Sequence, residues 1–268
     1  MRGKTARERI KRAEYGALLT EAYDLDKPEA PPEELAYYLR HIRACSEPVL
    51  EAMCGSGRFL VPLLQAGIDI DGVDASPQML ASCVTRCAER GLAARLSEQL
   101  MHELDLPRRY GLIFADGGSF GLIVDEAEVD ESLRRLNAHL LPGGRLLMEI
   151  ETPHYAESRS SRPNSPRPPP RRWTRSDGAE ILLRPSGSYD PSTRVVTGSG
   201  RYELLVSGQR VVVEENAWAC RYWEVDDFAA RLRAAGFVGV TATRAFSDEP
   251  LDRSEKAVSF VARRRDQS

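Results

Sequence analysis

A doubly wound α/β sheet is the fold that this 268-residue chain predicts, and three observations carry the prediction. The run Glu51-Ala-Met-Cys-Gly55-Ser-Gly57-Arg58 follows a short apolar segment, Pro48-Val-Leu, and opens an apolar, helix-spaced one, Phe59-Leu-Val-Pro-Leu-Leu. That order is strand, glycine loop, helix. The next apolar run, Ile68 to Val73, ends on Asp74, seventeen positions after Gly57. Ser76-Pro77 then starts a helix, with serine as N-cap and proline at the first helical position. Beyond it, strand-length and helix-length apolar patterns keep alternating, with one interruption.

In chain order, residues 1 to 22 read as a charged helical lead-in, with Ile10, Tyr15, Leu18 and Leu19 on one side, and a second helix spans Pro32 to Ala44. Strand, helix, strand and helix occupy Pro48 to Arg90. Ala94 to Gln99 is the third strand, Tyr110 to Ala115 the fourth and Arg145 to Glu151 the fifth. A helix at Glu126 to Leu140 is closed by Pro142-Gly143-Gly144. The rhythm breaks from His154 to Gly178, where five of the 17 prolines fall between Pro163 and Pro170 among Arg and Ser, a composition that disfavours a packed element. Glu180 to Arg184, Arg194 to Val206 and Gln209 to Ala219 then alternate as antiparallel strands do, with Ser207-Gly208 as a two-residue hairpin turn. A helix at Val225 to Ala235 and strands at Gly239 to Thr243 and Ala257 to Arg263 complete the sheet. The organisation expected is a helical lid segment at 1–47, a nucleotide-binding core at 48–153, a Pro/Arg-rich loop with added strands at 154–222, and the rest of the core at 223–268.

Composition narrows the function classes. With 42% hydrophobic residues the chain buries one substantial core, and a net charge of −3 advertises no overall basic field for nucleic acid. No run of about 18 apolar residues is present, so no membrane span is expected. The basic N-terminus lacks the apolar core of a secretory signal. Five cysteines form an odd set without zinc spacing, Cys83 and Cys87 lying one helical turn apart. The expectation is a reducing, cytoplasmic setting and no metal site.

The glycine loop carries an electrostatic clue. Glu51 stands at its mouth, where a dinucleotide brings its pyrophosphate, and an acid there repels two phosphates. It suits a phosphate-free nucleoside that is positively charged, and S-adenosylmethionine has both an ammonium and a sulfonium. Asp74 is placed to accept hydrogen bonds from both ribose hydroxyls, and it leaves no room for a 2′-phosphate. Leu60 stands where the third glycine of a dinucleotide fingerprint belongs. Glu51 to Gly57, Gly72 to Met79, Gln99 to Pro107, Leu112 to Phe120 and Leu140-Leu-Pro-Gly-Gly144 together resemble the successive motifs of class I S-adenosylmethionine-dependent methyltransferases, most closely the bacterial enzymes acting on small molecules. The resemblance runs from about Tyr23 to Thr152 and implies a Rossmann-like seven-stranded sheet with the last strand antiparallel, here with an antiparallel insertion between the fifth strand and the following helix.

That resemblance assigns expected roles. Met53, Gly55, Ser56 and Gly57 form the cofactor loop with Glu51. Ala75, Met79 and Met101 sandwich the adenine, beside Gln99 and Leu100. Leu100 stands where the family often has an adenine-binding Asp, so recognition falls to backbone groups or to Gln99. Tyr15 and Tyr23 belong to a lid whose π-faces meet the sulfonium. Ala115-Asp116-Gly117-Gly118-Ser119-Phe120 faces the transferring methyl: Asp116 orients an amine or acts as its base, or instead caps the turn, while Ser119 and Phe120 line the acceptor pocket. His154 is the other candidate acid–base group, with Tyr155 beside it, and Arg43 or Arg221 is placed to hold a carboxylate. Methyl transfer is an in-line displacement from a good leaving group, so positioning supplies most of the catalysis and no loud catalytic motif is expected.

Three functions compete at this level. One is N- or O-methylation of a small-molecule acceptor, by a monomer or a homo-oligomer. Another is RNA or protein methylation, for which the arginines from Arg159 to Arg175 are the argument. The last is a non-catalytic cofactor-binding module. Nicotinamide chemistry is disfavoured by Glu51 and Leu60.

Overall fold

The computed structural model describes residues 15–159, 169–252 and 254–266. Five strands build a parallel sheet: β1 (Val49–Ala52), β2 (Ile70–Asp74), β3 (Arg95–Glu98), β4 (Tyr110–Ala115) and β5 (Leu140–Glu151). Two further strands, β10 (Phe237–Arg244) and β11 (Ala257–Arg264), complete it in the order β10-β11-β5-β4-β1-β2-β3, with β11 antiparallel to both neighbours. All four residues of β1 and all six of β4 are buried, as central strands covered on both faces require. Alternation along β1 sends Leu50 and Ala52 into one apolar layer, with Ile113, Leu133 and Phe228. Val49 joins the other, with Phe59, Leu63 and Phe114.

The helices cover these faces. In chain order they are α1 (Ala17–Asp26), α2 (Pro32–Arg43), α3 (Leu60–Gln65), α4 (Pro77–Ala88), α5 (Glu126–His139), α6 (Pro153–Arg159) and α7 (Val225–Ala234). Ser76 caps α4 as its sequence predicts, its hydroxyl accepting from Met79 N at 3.2 Å. The tight bend before α3 needs Gly57: its φ is +80°, and a Cβ there would lie 2.6 Å from Cys83 Sγ.

A second, antiparallel sheet holds β6 (Arg171–Thr174), β7 (Glu180–Asp190), β8 (Val195–Val206) and β9 (Gln209–Arg221) in that order. Ser207 and Gly208 have φ of 52° and 77°, the positive pair that a type I′ hairpin turn demands. Three expectations are revised. The lead-in helix runs from Ala17 to Asp26, with Ile10 outside the described residues. The stretch from His154 to Gly178 includes α6, begun by Pro153, and β6, which Glu180 to Leu183 pairs and so stabilises from outside its own sequence. Strand β5 starts at Leu140 rather than Arg145 and carries the Pro142-Gly143-Gly144 bend as an irregularity in its pairing with β4.

The added sheet grips α1. No side chain of its own caps that helix. Instead Glu214 of β9 accepts from Leu18 N at 2.9 Å and Leu19 N at 3.1 Å. At the far end Asp26 meets Arg171 and the Trp173 indole of β6, and Glu21 meets Arg175 at 3.0 Å. Asp24 ties the same helix to α4 through Ser82 and Arg86. No helix among the described residues is long and apolar enough to cross a membrane.

Candidate cofactor and acceptor cleft

Strand β1 lies between β4 and β2, and the chain leaves their carboxyl ends in opposite directions, which opens a crevice there. A cleft of about 1410 Å³ occupies it, walled by the glycine loop, the ends of β2 and β4, α1 and β9.

Glu51, the third residue of β1, lies on the face of Val49 and lines this cleft. It is 3% exposed, and its Oε2 has no hydrogen-bond partner. Burial, reinforced by Asp116, holds its carboxyl well above the usual range against the pull of Arg58. An orphaned buried carboxylate oxygen at the loop mouth fits a cationic group and opposes a pyrophosphate. Asp74 ends β2. Its Oδ2 accepts from Gly55 N and its Oδ1 from Ser76 N, both at 2.8 Å. Burial raises its carboxyl while those amides lower it. Asp74 therefore pins the loop as well as facing the cleft. Met53, a non-glycine residue at φ 60°, completes the bend with its side chain at the cleft wall.

Asp116 follows β4 and is held on both sides. Arg58 Nη2 meets its Oδ2 at 2.5 Å, and the Tyr38 hydroxyl donates to its Oδ1 at 3.4 Å. Burial raises this carboxyl and the Arg58 guanidinium opposes the rise. Glu34 of α2 lies 3.7 Å from the same guanidinium. On β5, buried Glu149 is pushed up to about 9 by burial and then by Asp116, with an amide of Gly117 working the other way. Arg58 is thus the cation shared by three buried or half-buried acids, Glu51, Asp116 and Glu34.

The structure brings Tyr15, Tyr23, Glu51, Met53, Gly55, Asp74, Ala75, Met79, Gln99, Leu100, Met101, Asp116, Ser119 and Tyr155 to one cleft. The Gln99 side chain is committed elsewhere, its amide bonding both backbone groups of Asp105, so Leu100 and Met101 form the apolar wall there. Seven other expected positions stand back from the cleft. Ser56 is buried and accepts from Arg86, Gly57 shapes the bend from behind, and Ala115 lies in the core. Phe120 packs against Phe228 at 5.8 Å between ring centres, beneath the pocket. His154 is exposed beside Glu157, outside the cleft lining. Arg221 spends its guanidinium on the Val124 carbonyl and on Glu126. Arg43, the other candidate for a carboxylate, is exposed on α2.

Sequence reasoning missed Arg58, Tyr38 and the wall of Glu214 and Trp218 from β9 with Tyr222 just after it. Only Arg58 left a signal, standing directly after the glycine loop. Tyr38 and Trp218 reach the site through contacts that no local pattern encodes.

The fold and cleft define a class: a doubly wound protein with an open crevice at its switch point and acids at its glycine loop. Comparison with known proteins narrows it. Residues 49–144 match the family model described as a methyltransferase domain. The chain is 28% identical over 143 residues to a dTDP-3-amino-3,6-dideoxy-alpha-D-glucopyranose N,N-dimethyltransferase of Streptomyces fradiae, covering 51% of this chain and 54% of that one. It thus spans about half the length of that relative. It is 31% identical over 103 residues to a glycine/sarcosine N-methyltransferase of Halorhodospira halochloris, 38% of each chain. Among solved structures it is similar to an S-adenosylmethionine-dependent methyltransferase from Clostridium acetobutylicum, with TM-score 0.74 and 15% identity over 91% of this chain and 97% of that one. It is similar also to a sugar N-methyltransferase from Streptoalloteichus, with TM-score 0.68 and 22% identity over 99% and 98%. Residues 49–144 are thus similar to a methyltransferase domain, on a fold shared with solved S-adenosylmethionine-dependent methyltransferases.

Proposed function

We propose that this chain methylates the nitrogen of a small-molecule amine of the natural-product kind. The observation that carries the reading is Asp116, a carboxylate fixed by Arg58 and Tyr38 at the cleft wall, in the same space as the orphaned Glu51. Two relatives named as N-methyltransferases support the choice of nitrogen.

In this reading Asp74 holds the ribose hydroxyls, Leu100, Met101, Ala75 and Met79 enclose the adenine, and Glu51 faces the ammonium end. Tyr15 and Tyr23 of the α1 segment present aromatic faces to positive charge. When bound, S-adenosylmethionine supplies a methyl on a sulfonium, ready for in-line displacement. The acceptor nitrogen becomes positive as its bond to carbon forms, and Asp116, already oriented, offers a fixed negative partner without reorganising. A proton leaving the amine has the same carboxylate to meet. Aligning the nucleophile with the methyl remains the larger part of the catalysis.

The five free thiols accord with a reducing compartment, and we place the protein in the cytoplasm, acting on a small molecule rather than a nucleic acid. The test is transfer of isotopic methyl from S-adenosylmethionine to a panel of amines and matching alcohols. Turnover confined to amines supports the reading, and turnover confined to alcohols, or to RNA or protein, contradicts it.

A further inference from the structure

We infer that the acceptor is a phosphate-free amine, and that the cleft rejects the same amine when it is carried on a nucleoside diphosphate. The inference rests on the reading above and names the substrate class for that site. It comes from how the described residues occupy the helix N-termini, the glycine-loop amides and the cations at the cleft.

Helix N-termini and glycine-loop amides are the ready-made anion sites of this fold. Here the protein's own carboxylates already occupy them. At α1, Glu214 takes the amides of Leu18 and Leu19. At the glycine loop and the start of α4, Asp74 takes the amides of Gly55 and Ser76, and the Ser76 hydroxyl takes that of Met79. Two of the three cations fare no differently. Among described residues lining the cleft, Lys27, Arg58 and Arg171 carry fixed positive charge, against ten carboxylates. Arg58 is paired with Asp116 and Glu34, Arg171 with Asp26, and the Lys27 ammonium lies over the Tyr23 ring at 5.5 Å.

The rest of the cleft lining suits positive charge. Glu151, Glu214 and Glu215 contribute acids to it, and Trp218, Tyr155 and Tyr222 contribute rings, the two tyrosines stacked with centres 6.0 Å apart. Deeper in the same cleft, the Glu51 oxygen is buried without a partner. Aromatic faces and carboxylates together receive an ammonium on an apolar or sugar ring. A diphosphate entering the same space would meet like charge in a low-dielectric wall, where ten carboxylates stand against three fixed cations among the described residues.

The experiment is calorimetric titration of the full chain, loaded with S-adenosylhomocysteine, at low and high salt. The probes are a panel of amino-sugar methyl glycosides and the nucleoside-diphosphate conjugates of the same sugars. The methyl glycosides are expected to bind at least about tenfold tighter than their conjugates, with the ratio shrinking as salt screens the repulsion. Tighter binding of any conjugate, a ratio indifferent to salt, or binding of no amine in the panel overturns the inference. Failure of the protein to take S-adenosylhomocysteine at the outset strikes the parent reading instead, so the two failures are separable.

Discussion

Glu51 and Asp74 share one cleft and do different electrostatic work. Glu51 has no partner for Oε2, so its ionisation is tied to whatever cation enters. Burial raises its carboxyl in the ligand-free protein, so it takes up a proton as pH falls through that raised value and its attraction for a cation is lost. Affinity for S-adenosylmethionine is therefore expected to rise with pH and then level off, while Glu51→Gln binds more weakly and without that slope. Calorimetry across pH checks both, and a flat wild-type profile contradicts the assignment. Asp74→Ala is expected to lose roughly 1.5–3 kcal/mol of cofactor binding, the range for hydrogen bonds to a charged group. Asp116→Asn is expected to lower turnover more than cofactor affinity, read as kcat against the cofactor Kd; equal losses mark a structural role. The glycine bend, Asp74 and the Ser76-Pro77 start were legible in the sequence because each is a local device set within a few residues. The clamp on Asp116 was not, because Arg58 and Tyr38 reach it across 58 and 78 positions of chain.

Helix α1 shows how one element depends on another far away in sequence. Its first turn is satisfied by Glu214, 196 residues from Leu18, rather than by a residue before it. Glu214→Ala is expected to cost about 0.5–2 kcal/mol, the usual loss of a helix cap, measured as a shift in denaturation midpoint. Glu214→Gln retains an acceptor but loses the charge against the helix dipole, for about 0.3–1 kcal/mol. An unchanged midpoint in both variants refutes the cap. Strands and helices of the core were readable because burial on one or both faces writes itself into apolar spacing. The elements that escaped were α6 and β6, set beside a proline- and arginine-rich run. Arg171 to Thr174 is extended because β7 pairs it, so its cause lies in the partner strand rather than in its own residues.

At the scale of the molecule, the acids around Arg58 make the ligand-free protein a poor match for alkaline conditions. Glu149 is pushed up to about 9 in the fold against an ordinary 4.5, so between those values the folded chain holds a proton that the unfolded chain has released. The stabilisation is complete below the lower value and is lost as pH rises through the upper one. Asp116, Glu34 and Glu51 are raised as well, and Arg58 opposes them in part. Glu149→Gln is expected to lift Tm at pH 9 and leave it unchanged at pH 5; the same slope in wild type and variant contradicts this. In the function proposed above, these acids and the sheet that grips α1 serve one arrangement, a cleft for positive charge on an adenosyl group. Calorimetric titration of the purified chain with S-adenosylmethionine and, separately, with a nicotinamide dinucleotide tests that arrangement most directly. Saturable binding of the sulfonium and none of the dinucleotide is the result expected, and retention of the dinucleotide with indifference to the sulfonium is the result that contradicts it.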